Sequence, residues 1–233
     1  MLHKETVKPG TLDLILRLME DDHFNSFYLV GGTALALKIG HRESIDIDLF
    51  HSGDFDFKEL SKHLQNAYGA VIKNEKSNYI SGSIAEVDFD LISHKFNAIK
   101  PIETIEGVRM MSLEDISAMK INAIVNSGER VKDYIDIFYL LKDMSLDHIF
   151  GYYCEKYPNV NADMARSSLL YHKDIDFSVP VKLNDKDLRW KSVANGISQA
   201  VRTYDNLQES RKIYWKVQEI KKKDKGKDRG LSM

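Results

Sequence analysis

A chain of 233 residues, 43% of them hydrophobic, is long enough to bury a core as one large domain or two small ones, and it reads as an ordinary globular protein. The formal net charge of −2 is unevenly spread: residues 211–233 hold nine Lys/Arg against three Asp/Glu, a net of +6, which leaves −8 on the first 210 residues. Cys154 is the only cysteine, which excludes an internal disulfide and fits a reducing cytoplasm, while charges at Asp13 and Arg17 break the apolar stretch a secretory signal would need, and no run is long enough to span a bilayer.

In chain order, Leu12, Ile15, Leu16 and Met19 recur with the period of an amphipathic helix, and "FYLV" (27–30) reads as a short buried strand. Gly31 and Gly32 then make a turn. The segment "TALALKI" combines Thr33 as an N-cap, strong helix formers and a closing Gly40, which predicts a short helix. "SIDIDLF" (44–50) alternates strictly, with Ile45, Ile47 and Leu49 on one face and Asp46, Asp48 and Phe50 on the other. A helix is expected over 57–68. "SIAEVDFDLIS" (83–93) alternates again and sets Glu86, Asp88 and Asp90 opposite Ala85, Val87, Phe89 and Leu91.

From Gly107 onward the pattern becomes helical. Ser112 and Asp115 form a capping box ahead of a helix over 113–126 that Gly128 ends, and a further helix covers roughly 131–142. "SLLYHKDIDFSVPVKL" reads as a loop or extended connection and "DLRWKSVANGISQAV" as another helix. The Lys-rich end looks frayed and too polar to fold alone. These elements define an α+β chain in three parts: a mixed sheet with flanking helices over 1–110, a helical part over 111–210 and a basic, flexible tail over 211–233.

Carboxylates at i and i+2 of a strand share one face about 6.5 Å apart. Asp46 and Asp48 can therefore lean toward one hard cation of the kind that joins carboxylates to substrate phosphates. If the strand carrying Asp88 lies alongside, three acids surround one point, an arrangement suited to two metals roughly 4 Å apart across a phosphoryl or nucleotidyl displacement. Gly31 and Gly32, lacking Cβ atoms, let backbone N–H groups approach an anion at a helix N-terminus. Asp90 shares the face of Asp88, so the pattern leaves the choice of third acid open.

The ordered series "GGTALALKIGHRESIDIDLF", "EVDFDLIS", "GVRMMSLEDISAMKINAI" and "KDYIDIFYLL" resembles the AbiEii/AbiGii toxin family of type IV toxin–antitoxin systems, within the DNA polymerase β-like nucleotidyltransferase superfamily. The resemblance extends over roughly residues 28–200. It implies a minimal nucleotidyltransferase core followed by a helical C-terminal part. In it Gly31, Gly32 and Thr33 would cradle a triphosphate, Asp46 and Asp48 would bind Mg²⁺ or Mn²⁺, and Asp88 would be the third acid and metal neighbour. Lys120 and Asp133 would serve nucleotide binding and activity. It further implies an NTP substrate, an RNA acceptor such as the 3′ end of tRNA or else a protein hydroxyl, a cognate antitoxin encoded nearby, and a cytoplasmic role in restraining growth or phage. Two positions depart from the family pattern: Asn126 and Lys132 stand where arginines are frequent.

Around these positions, Arg42 could reach a phosphate or pair with Glu43 or Asp46, and Ser44 could bind nucleotide or simply begin the strand. His41 reads as a surface residue and Asp136 as an acid favoured by a helix start. Lys120 lies on the stripe of Ile116, Ala123 and Ile124, where it either meets an anionic ligand or snorkels. Tyr28, Tyr134 and Tyr139 read as core.

Overall fold

The computed structural model describes residues 1–228. Seven strands form one mixed sheet in the order β3-β4-β5-β2-β1-β7-β6, comprising β1 (Phe27–Leu29), β2 (Ile47–His51), β3 (Val71–Lys76), β4 (Tyr79–Ile84), β5 (Val87–Ser93), β6 (Glu103–Ile105) and β7 (Val108–Met110). β2 runs antiparallel to β1 and parallel to β5, and β1 runs parallel to β7. Ile47 and Leu49, fully buried, stand in register with the buried Phe89 and Leu91, so the apolar half of each alternation packs into the core. The acidic half is left on the opposite face.

Helix α1 (Pro9–Glu20) starts on a proline, whose fixed φ suits the first turn, and buries Leu14, Ile15, Leu18 and Met19. Helix α2 (Gly31–Ile39) follows β1 directly and ends on Gly40, whose φ of +68° lets its N–H cap the Ala36 carbonyl. The Asp56 carboxylate caps α3 (Phe57–Tyr68) by accepting from the N–H groups of Lys58 and Glu59. After β7 come α4 (Leu113–Asn126), α5 (Val131–Leu140), α6 (Leu146–Lys156), α7 (Ala162–Leu170) and α8 (Trp190–Asp228). A single hydrophobic cluster joins the sheet to these helices, running from Leu29, Leu49 and Leu91 through Ile116, Ile121 and Ile137 to Val193 and Ile197.

Several local expectations change. Thr33 is not the N-cap of α2; that position is Val30, with no side-chain cap, and Thr33 lies inside the helix with its hydroxyl donating to the Asp46 carbonyl. Ile45 is 56% exposed because β2 begins only at Ile47. The run 83–93 is two strands: Ala85 and Glu86, at φ +47° and +65°, form the tight turn of a β4–β5 hairpin, which takes Glu86 off the acidic face. β3 had no alternating signal, being an edge strand exposed along most of its length. Helix α5 stops at Leu140, short of residue 142. Ser112 caps α4 as expected, and the Asp115 carboxylate accepts from the Ser112 hydroxyl at 2.8 Å as well as from the N–H groups of Ile99 and Lys100 and from Lys156 Nζ at 2.7 Å.

The C-terminal end also differs. Helix α8 continues to Asp228 where polarity suggested fraying; residues 205–222, rich in straight-chain helix formers and without Gly or Pro, carry it most of the way. Its distal part exposes Ile213, Tyr214 and Trp215. Residues 229–233, including Arg229 of the basic tail, lie outside the described residues. The expected loop from Ser168 begins only after Leu170, since Ser168–Leu170 end α7; the irregular connection that follows returns to the glycine-turn region, where Glu43 N–H donates to the Lys182 carbonyl and Asn184 N–H to that of His41. Among the described residues no helix is long and apolar enough to cross a membrane.

Candidate active site

The parallel pairing of β2 and β5 sets Asp48 directly beside Asp90, and Asp46 sits just ahead of β2 at the same end. With Asp88, Ser44, Gly31 and Gly32 they form one wall of a cavity of about 290 Å³; the facing wall supplies Lys120 from α4, Lys132 from α5 and Arg130 from the residue before it. Gly31 adopts φ +69°, and a Cβ there would run into the Asp48 carboxylate. Only glycine permits that approach. Thr33, expected at the triphosphate, is buried, and its hydroxyl meets that of Ser44 at 2.9 Å, tying the glycine turn to the acid loop.

The acids differ in how well their charge is met. Desolvation, with repulsion from Asp90 and Asp46, pushes the Asp48 carboxyl up to about 6 despite partial relief from Lys120 and Lys132. Asp88 is exposed and pairs with Lys73 at 2.5 Å, whereas Asp90 faces Asp48 and accepts from the Tyr79 hydroxyl at 2.9 Å. Lys132 Nζ lies 3.7 Å from Asp46. Four carboxylates, a hydroxyl and no nitrogen or sulfur donor on this wall make a set that suits a hard divalent cation.

The helix wall is organised around two aspartates of α5. Lys120, 4% exposed, reaches Asp133 at 2.7 Å and Asp136 at 2.6 Å. Arg130 grips the Asp133 carboxylate from outside through Nε at 2.9 Å. Arg42 makes a two-pronged contact with Asp136, through Nε at 2.6 Å and Nη2 at 2.9 Å, and His41 Nε2 meets the same carboxylate at 2.7 Å. Burial opposes every charge here, yet Asp136 and Asp133 hold the Lys120 ammonium above its ordinary value. Lys120 and Arg42 in turn hold Asp136 well below the carboxylate range.

Asp136 is therefore no helix-start acid but a fully buried hub, and His41 is not a surface residue but 2% exposed. Arg42 pairs with Asp136 rather than with the side chains of Glu43 or Asp46. Lys120 does not snorkel; its head is inside. Tyr28 and Tyr134 are core residues, and Tyr139 is partly buried. Asn126 is exposed and donates to the Asn122 carbonyl. Arg130 escaped the sequence reading; its signal was a basic residue three positions ahead of Asp133.

Elsewhere, Asp21, His23 and His63 bring potential metal-ligand atoms within 4.8 Å of one another. Both imidazoles bond the Asp21 carboxylate, at 2.9 and 2.6 Å, and their rings stack at 3.7 Å. A single ion cannot lie in the planes of two stacked rings, so this cluster is a hydrogen-bonded clamp between the α1–β1 connection and α3.

A mixed sheet carrying paired acids beside a glycine turn, with cationic helices opposite, defines the nucleotidyltransferase class of fold and site. The family model "Nucleotidyl transferase AbiEii toxin, Type IV TA system" matches residues 13–223, and the chain belongs to that family. It is 25% identical over 186 residues to the uncharacterized protein aq_aa25 of Aquifex aeolicus, covering 77% of this chain and 88% of that one. The crystal structure of JHP933 from Helicobacter pylori superposes with a TM-score of 0.51 at 15% identity, covering 91% of this chain and 99% of the other, a likeness of fold. The protein is a nucleotidyltransferase of α+β fold, and its family implies a divalent metal, an NTP substrate and an antitoxin partner.

Proposed function

We propose that the protein transfers a nucleoside monophosphate from an NTP to the 3′ hydroxyl of an RNA, tRNA being the acceptor, and that this modification is the toxic act restrained by its antitoxin or released against phage. The observation that carries the reading is the Asp48–Asp90 register: two like charges side by side, with Asp46 adjacent, are held where protein counter-charge is incomplete. Such a cluster costs stability and is best accounted for by a bound cation.

Asp46, Asp48 and Asp90 would hold Mg²⁺ or Mn²⁺, which supplies charge neutralisation for the triphosphate and the developing oxyanions. Gly31 and Gly32 present backbone N–H groups to the phosphates, with Lys120, Lys132 and Arg130 drawing them from across the cavity. The acceptor oxygen attacks the α-phosphorus as the bond to the bridging oxygen breaks, and pyrophosphate leaves. Asp90, rather than Asp88, takes the acceptor proton, because Asp90 stands beside Asp48 while Asp88 is turned to Lys73.

Incubation with each α-labelled NTP, Mg²⁺ and total RNA, followed by gel separation, tests this directly. Label on a tRNA-sized band supports both class and acceptor. Label on protein alone would reassign the acceptor, and no label with any NTP would remove the transfer reading.

A further inference from the structure

The hub formed by Asp136 joins the Lys120 side of the cleft to the glycine turn through side chains. One Asp136 oxygen meets Lys120 Nζ at 2.6 Å, and Lys120 lines the cavity. Both oxygens receive Arg42, whose Nη2 stands 2.5 Å from the point where a Cβ on Gly32 would be. The guanidinium therefore lies hard against the glycine turn. His41 Nε2 completes the set, and its other ring nitrogen is buried without a partner, as is the Tyr139 hydroxyl beside that ring. Asp136 itself is fully buried and does not line the cavity.

We propose that Asp136 is a positioning residue for the nucleotide, its single carboxylate setting both the Lys120 ammonium and, through Arg42, the Gly31–Gly32 turn that together receive the phosphates. This rests on the nucleotidyl-transfer reading and deepens it. A bidentate guanidinium contact fixes orientation as well as distance, so Arg42 holds the backbone of the turn in one pose. Lys120 has a second carboxylate in Asp133, so its charge survives loss of Asp136 but its direction does not. The signature of such a role is a loss of nucleotide affinity beyond any loss of fold.

The test is Asp136→Asn, with NTP affinity measured by calorimetry using an α,β-methylene NTP and Mg²⁺, KM and kcat measured by label transfer, and melting temperature followed in parallel. Nucleotide affinity is expected to fall between about 10- and 100-fold, the range for a lost charged hydrogen bond, with KM for the acceptor unchanged. Because the single variant strands two buried cations on one remaining acid, the double variant Asp136→Asn/Arg42→Gln restores charge balance. It should regain melting temperature without regaining NTP affinity. Gly32→Ala, which displaces Arg42 directly, should weaken NTP binding in the same direction.

If Asp136→Asn lowers melting temperature while the folded fraction binds NTP with wild-type affinity, the hub is purely structural and the proposal is overturned. Recovery of both stability and affinity in the double variant would overturn it equally. Wild-type protein that binds the NTP analogue but transfers no label defeats the transfer reading and leaves the affinity comparison standing. Wild-type protein that binds no NTP defeats both.

Discussion

On the strand wall of the cleft, Asp46, Asp48 and Asp90 lean on one another with Lys132 and the Tyr79 hydroxyl as partial relief; on the helix wall, Asp133 and Asp136 are each enclosed by two or more cations or donors at 2.6–2.9 Å. The strand wall holds partly buried charge that is incompletely met, whereas the helix wall buries its charge and matches it internally. Buried ionic groups that satisfy each other hold a shape, and removing one strands the rest. Carboxylates that repel each other hold a demand for a ligand. On the proposed reading the strands carry the chemistry and the helices the positioning, and each role predicts a different response to mutation.

The largest effect is expected at Asp48. Asp48→Asn should lower transfer by more than about a thousandfold, on the order of 4 kcal/mol of transition-state stabilisation, while the metal-free protein melts at the same temperature or higher. The sign follows from the carboxyl being raised to about 6. Ionisation is disfavoured in the fold, so this residue's contribution is full when it is protonated and is lost as pH rises from the unfolded value near 4 through 6. After discounting for partial exposure, the cost above pH 6 is about 1–2 kcal/mol. The melting difference between variant and wild type, followed without metal, should be near zero at pH 4 and widest above pH 6.

Lys120→Met comes next and should behave in the opposite manner on stability. Transfer should fall about a hundredfold through KM for NTP, and the melting temperature should fall with it, because Asp133 and Asp136 lose a shared counter-ion. A stable Lys120→Met protein would mean that the helix wall is not a closed ion cluster.

A sharper separation lies within the strand wall. Asp90→Asn should cost about a hundredfold in kcat and Asp88→Asn less than tenfold, since only Asp90 is beside Asp48. Kinetics showing the reverse order would return the third-acid role to Asp88.

How much of this could be read ahead follows the same division. The pairing of Asp46 and Asp48 in one cavity was legible because they stand two residues apart in an extended segment, although β2 itself begins only at Ile47. That Asp90 rather than Asp88 stands beside Asp48 is set by the β2–β5 register, which links residues more than forty positions apart. The hub was out of reach for the same reason: Asp136 and Arg42 are 94 residues apart, and each alone resembles an ordinary surface charge. Helix α3 and the α4 cap were predictable from local signals, whereas the β4–β5 turn was hidden because Ala85 and Glu86 hold positive φ without being Gly, Asn or Asp.

The smallest effect concerns the acceptor. With −8 on the first 210 residues and +6 beyond, RNA should meet attraction chiefly at the end of α8, around Lys221 and Lys222. Deleting residues 221–233 should flatten the salt dependence of RNA binding, by roughly 0.9 in the log-log slope for each duplex phosphate no longer neutralised, and leave KM for NTP unchanged. Equal slopes for the two forms would place acceptor binding on the helices nearer the cleft.

If the strand wall carries unmet charge for a cation, Mn²⁺ binding followed by electron paramagnetic resonance reads it without any acceptor. Wild-type protein with an NTP analogue should bind Mn²⁺, Asp48→Asn should lose that binding, and Asp88→Asn should keep most of it. Undiminished Mn²⁺ affinity in Asp48→Asn would contradict the account at its centre.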